Sequence, residues 1–107
     1  MELIHKHINK LKQLCEVYNV AQLYVFGSVL SYNFKAESDI DFLVNFSGVS
    51  LVYYFDNYMD FKDSLENLFS RKIDLVEIQT LKNLILKRSI FRNKVIIYGR
   101  EDSKMAV

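Results

Sequence analysis

The stretch "FGSVLSYNFKAESDIDFLV", residues 26–44, decides how this chain is read. Gly27 and Ser28 close one apolar run, and after ten intervening residues Asp39 and Asp41 stand at the head of another. The first run, "AQLYVFG", is rich in β-formers and ends on glycine, which predicts a buried strand followed by a sharp turn. "SVLSYN" fits a helical turn or two with Ser28 near its start, "KAES" a polar loop, and "DIDFLVNF" a second strand. Side chains alternate across a strand, so Asp39 and Asp41 are expected on one face while Ile40 and Phe42 turn to the other.

Two carboxylates side by side repel unless one takes a proton or a cation lies between them. Carboxylate oxygens suit hard cations, and Mg²⁺ is commonly held by one or two acids together with substrate phosphates. An isolated Asp-x-Asp is more often a polar strand entrance, with Ser38 and Asp39 capping a turn and Asp41 on the solvent side. Two further features favour chemistry. Asp74, in "KIDLVEI", enters a third apolar run and would join the pair if the strands are neighbours. The Gly27-Ser28 turn offers backbone N–H groups and a hydroxyl to an anion, and glycine lets a phosphate come close.

Around this centre the pattern alternates. Leu3, Ile4, Ile8, Leu11, Leu14, Cys15 and Tyr18 recur at three- and four-residue steps, predicting one helix that ends near Asn19. Leu51, Phe55, Tyr58, Leu65 and Phe69 predict a second, its apolar face widened by Tyr54, Phe61 and Leu68. "RKIDLVEI" reads as a strand, "TLKNLILKRSIF" as a helix with Thr80 as N-cap, and "KVIIYG" as a last strand. The expected fold is α/β (α+β): a small mixed sheet with helices packed against it, in a single domain spanning 1–107 with a frayed tail at about 101–107. Five aromatics in "YYFDNYMDF" exceed what one helix face buries, so Tyr53, Tyr54 or Tyr58 is a candidate for a partner surface or base-stacking platform.

The remaining composition narrows the class. With 50% hydrophobic and 25% charged residues the chain is that of an ordinary folded domain. A net charge of +1 argues against direct nucleic-acid binding, although Leu81 to Arg100 carries six bases and no acid. Lys82, Lys87, Arg88 and Arg92 cannot all share one helix face. Cys15 is alone, which excludes an internal disulfide and fits a reducing compartment. His5 and His7, two apart, make a poor metal pair and are expected at the surface. No apolar run approaches a membrane span, and the expected location is the cytoplasm.

Taken together, Gly-Ser, a gap of ten, Ser-Asp-x-Asp before an apolar run and a third Asp in a later strand resemble the nucleotidyltransferase superfamily with the DNA polymerase β palm, in particular its minimal nucleotidyltransferases. The likeness runs from about Leu23 to Tyr98. It implies a palm-like fold and a Mg²⁺-dependent transfer of a nucleoside monophosphate, AMP from ATP, to a hydroxyl. By position it implies Asp39, Asp41 and Asp74 as catalytic metal ligands, and Gly27, Ser28 and Ser38 around the nucleotide. It also implies a HEPN-domain toxin as partner, neutralised by AMPylation of a tyrosine. A domain this small leaves a nucleotide partly uncovered, so a homodimer or that partner is expected to complete the pocket. Neutralisation by contact alone and a small-molecule acceptor are the alternatives. The chain departs from the common Gly-Ser-Arg form of the turn, having Val29 after Ser28.

Overall fold

The computed structural model describes residues 1–100; the expected frayed tail at 101–107 lies outside them. The chain runs α1 (Glu2–Lys6), α2 (Ile8–Val17), β1 (Val20–Phe26), a 3₁₀ turn (Gly27–Leu30), β2 (Ile40–Phe46), α3 (Leu51–Phe69), β3 (Ile73–Glu77), a second 3₁₀ turn (Ile78–Thr80), α4 (Leu84–Asn93) and β4 (Val95–Tyr98). The strands form one mixed sheet in the order β3-β2-β1-β4. β1 is antiparallel to both β2 and β4, and β2 is parallel to β3. The long α3 supplies the crossover that a parallel pair requires.

The sheet has two faces of unequal weight. On one, Leu23, Val25, Ile40, Phe42, Val44, Ile73 and Leu75 pack against Leu11 and Cys15 of α2 and Phe61, Leu65 and Phe69 of α3. On the other, Tyr24 and Leu43 are sealed by Ile90 of α4, with Phe26, Val76, Phe91 and Ile96 around them. Strand alternation sorts the residues: after the register shift between Val20 and Gln22, odd-numbered positions of β1, like even-numbered ones of β2, face the larger core.

Three local expectations change. The first helix is two, broken at His7 (φ −109°, ψ 15°), whose ring turns edge-on to Phe69 at 5.3 Å instead of standing free at the surface. Leu51 and Phe55, counted toward the buried face of α3, are 91% and 61% exposed. The inward stripe of α3 runs through Tyr54, whose ring meets Phe46 at 5.6 Å, and then Tyr58, Phe61, Leu65 and Phe69, which turns Phe55 aside. Finally, α4 starts at Leu84, and its N-cap is Asn83, whose side chain accepts the Leu86 N–H at 3.0 Å. Thr80 closes the preceding 3₁₀ turn, donating to the Glu77 carbonyl at 2.8 Å.

Candidate active site

The acids gather where β1 ends and β2 and β3 begin. In register, Tyr24 lies opposite Leu43, and two residues further along Phe26 lies opposite Asp41. Across the parallel pair, Leu43 faces Val76 and Asp41 faces Asp74. The face carrying the smaller core is thus built in rows. The row Tyr24-Leu43-Val76 is apolar and lies beneath α4; the next row outward is Phe26-Asp41-Asp74. Parallel neighbours stand ~4.8 Å apart, so carboxylates in register on one face are side by side.

Asp39 is reached differently. The second strand begins at Ile40, one residue later than the sequence suggests, so strand alternation does not fix Asp39. It belongs to the loop between the 3₁₀ turn and β2, exposed to solvent. That loop is tied internally: the Ser38 hydroxyl accepts the Lys35 N–H at 3.0 Å, and Ser38 N–H donates to the Lys35 carbonyl at 3.1 Å. Ser38 therefore shapes the turn that delivers Asp39.

Asp41 is half-buried and carries the electrostatic signature of the cluster. Its carboxyl is pushed up from 3.8 to about 6, first by burial and then by the negative charges of Asp74 and Asp39. Asp74 is exposed. Among the described residues no three His, Cys, Asp or Glu side chains stand as a closed metal-binding group. The arrangement is an open, acid-rich edge. Its donor set is oxygen only, and its like charges favour a cation, which fits Mg²⁺ completed by substrate oxygens.

Gly27 serves this edge in an unexpected way. Its φ of +75° suits glycine, and a Cβ there would collide with Asp41 Oδ2 and come within 3.3 Å of its Cγ. The glycine thus makes room for the half-buried acid. Ser28 follows at the start of the 3₁₀ turn, and its carbonyl accepts both the N–H (2.9 Å) and the hydroxyl (3.0 Å) of Ser31. Val29, at the position where arginine is common in the resemblance, is 3% exposed and points into the larger core.

Over residues 9–103 the sequence matches the family described as Polymerase beta, Nucleotidyltransferase. The chain belongs to that family. This nucleotidyltransferase is 33% identical over 86 residues to the protein adenylyltransferase MntA of Thermococcus cleftensis, covering 80% of this chain and 83% of the relative. It superposes with a TM-score of 0.68 on a crystal structure of a toxin-antitoxin with AMP-PNP, at 18% identity over 88% of this chain and 74% of the other. It also superposes, with a TM-score of 0.62 at 18% identity, on a structure of tri-AMPylated Shewanella oneidensis HEPN toxin in complex with MNT antitoxin, covering 90% and 72% of the two chains. The mixed sheet and its helices are those of the polymerase β-like nucleotidyltransferase fold.

Elsewhere the nucleotidyltransferase shows ordinary packing. Cys15 is fully buried and its thiol pushed up to about 12 by burial and by Glu16, so it is inert. The Tyr58 hydroxyl donates to the Leu75 carbonyl at 2.6 Å, and the Tyr54 hydroxyl accepts from Gln79 at 2.7 Å, which ties both rings to the β3 side. Tyr53 and Phe55 are the aromatics of that run left largely exposed. Of the bases singled out in the sequence, Arg88 and Arg92 share an outer stripe of α4 with Ile85 and Ser89, while Lys87 turns toward the Phe91 ring at 5.8 Å. No helix among the described residues is long and apolar enough to cross a membrane. The residue that sequence reasoning passed over is Arg71: Nη1 donates to the carbonyls of Lys35 (3.1 Å) and Ser38 (2.9 Å). Its place directly before "KIDLVEI" gave no signal, because a lone base at a strand entrance is common.

Proposed function

We propose that this nucleotidyltransferase transfers AMP from ATP to a tyrosine hydroxyl of a HEPN-domain partner and so acts as that partner's antitoxin. The observation that carries the reading is the pairing of Asp41 with Asp74 at the open end of the sheet, with Asp39 close enough to raise the proton affinity of Asp41. The adenylyltransferase name of the Thermococcus relative and the tri-AMPylated toxin in the Shewanella complex support AMP as the group moved and a HEPN protein as its acceptor. Those neighbours are toxin-antitoxin assemblies, which favours a partner of a different kind over a second copy as the body that completes the pocket.

Asp39, Asp41 and Asp74 would hold Mg²⁺, which when bound neutralises the triphosphate and steadies the leaving oxygen. The chain's own groups do the remainder. Gly27 and Ser28 present backbone and hydroxyl to the phosphates at the end of β1. Asp74, exposed on the outer strand, takes the proton of the incoming hydroxyl. The acceptor oxygen bonds to the α-phosphorus as the bond from that phosphorus to the bridging oxygen breaks, so AMP is joined to the acceptor and pyrophosphate leaves. Little else is required, since phosphoryl transfer depends mainly on positioning and charge.

Labelled ATP, Mg²⁺ and a HEPN-domain protein from the same source test the reading. Label on a tyrosine of the partner, lost in Asp41→Asn, is the expected result. Neutralised toxin with no label would overturn it in favour of contact alone, a second reading to which the exposed Leu51, Val52, Tyr53 and Phe55 of α3 lend a surface. Label on a small-molecule acceptor and none on the partner would also overturn it.

A further inference from the structure

We infer that Arg71 is a positioning residue that sets Asp39 in place by clamping the loop before β2 to the entrance of β3; this rests on the metal-site reading above. The sheet treats the three acids unequally. Asp41 and Asp74 are in-register partners, so the β2-β3 ladder fixes both backbones. Asp39 precedes the strand and has no rung of its own; the ladder's first bond is Ile40 N–H to the Lys72 carbonyl, 3.2 Å. Something outside the ladder must hold Asp39, and Arg71 is built to do so.

Three contacts of one guanidinium converge on the loop. Nη1 bridges the carbonyls of Lys35 and Ser38, the two ends of the turn that the Ser38 hydroxyl closes. The guanidinium carbon stacks 4.6 Å from the centroid of the Phe34 ring. Nε is buried with no hydrogen-bond partner among the described residues. A surface arginine would turn its fork to water; this one leaves Nε desolvated while keeping the loop contacts. The carbonyl of Ser38 is the group one peptide before Asp39, so the clamp acts on the bond that orients that acid. From the other side Arg71 is fixed by Ser70, whose left-handed backbone (φ 53°) ends α3 and reverses the chain. Arginine's planar fork and stacking surface are both used, and lysine offers neither.

The test is binding of Mn²⁺ alone, without nucleotide, to the full chain, read from the free-ion electron paramagnetic resonance signal, for wild type, Arg71→Ala, Arg71→Lys, Asp39→Asn and both Arg71 variants combined with Asp39→Asn. A group that orients a metal ligand changes affinity by about 10- to 100-fold, so Arg71→Ala is expected to weaken Mn²⁺ by at least about tenfold, with Arg71→Lys in between. In the Asp39→Asn background the Arg71 substitutions should cause no further loss, because their effect runs through Asp39. Should Arg71→Ala fail to fold, as read by circular dichroism, the Arg71→Lys pair decides in the same way. Unchanged binding in the folded Arg71 variants, or losses that add in the double variants, overturns the inference while leaving the metal site standing. A wild-type protein that binds no Mn²⁺ overturns the site reading itself, a result distinct from either.

Discussion

Gly27 and Asp41 are in contact across the end of the sheet: the α-carbon of the glycine sits where any side chain it carried would strike the carboxylate. Phe26 is the register partner of Asp41, and the positive φ of Gly27 turns the chain away directly after it. Turn and acid are thus one construction. Gly27→Ala adds a methyl group against Oδ2 and places a non-glycine residue in the left-handed region, which alone costs about 1–2 kcal/mol. The expected outcome is a lower melting temperature and loss of AMP transfer together, measured by thermal denaturation and label incorporation. Wild-type transfer by the Gly27→Ala variant would show that Asp41 does not need its observed position.

Asp41→Asn should separate stability from activity. Removing a half-buried charge that faces two others relieves repulsion in the cation-free protein, while transfer falls by about 100-fold or more, the usual scale for losing a group that stabilises transition-state charge. The variant is expected to melt above wild type at pH 7.5 without divalent ions. A relief of about 1 kcal/mol corresponds to about 4–8 °C in a domain of this size. Lower stability of the variant under those conditions would count against the crowding of the three acids.

The pH dependence has a definite sign. The folded carboxyl of Asp41 lies at about 6 and its ordinary value is 3.8, so between those limits the folded state binds more protons than the unfolded one. Stability attributable to this group is therefore highest at low pH and declines as pH rises from about 4 to 6. Subtracting the Asp41→Asn profile from that of wild type, using urea midpoints at constant ionic strength, isolates it from other acids. The difference should grow against wild type across that window and shrink when Mg²⁺ is added at pH 7.5.

The start of α4 gives a purely structural check. Asn83→Ala removes the cap on Leu86 N–H and should cost about 1 kcal/mol. Thr80→Ala removes one bond in an exposed 3₁₀ turn and should cost less. Urea denaturation of both variants ranks them, and the reverse order would return the helix start to Thr80.

Ile90 is the buried residue of α4 and lies over Tyr24 and Leu43 in a core of few members. Ile90→Ala is expected to destabilise by about 2–4 kcal/mol, loosening the helix from the face that also carries the acids. Heteronuclear NMR spectra should show the perturbation confined largely to α4 and the neighbouring strands, with the α2-α3 core retained.

The elements and the inventory of acids are legible in the chain read residue by residue. The apolar runs around Leu23–Phe26, Ile40–Val44 and Ile73–Leu75 and the helical period across 51–69 are local properties, because periodicity and burial are coupled along the chain. What is not legible depends on distance in space. The break at His7, whose ring packs on Phe69, and the choice of Tyr54 over Phe55 for the inward stripe of α3 are set by what lies opposite in the fold. That Asp74 stands opposite Asp41 requires β2 and β3 to be parallel neighbours, a choice of strand order that no run of residues encodes locally. That Gly27 answers to Asp41, and Arg71 to the carbonyls of Lys35 and Ser38, requires packing atom against atom. Local physics chooses strands, helices and acids; the assembled sheet settles which acid faces which, because proximity across it is set by register and not by sequence separation.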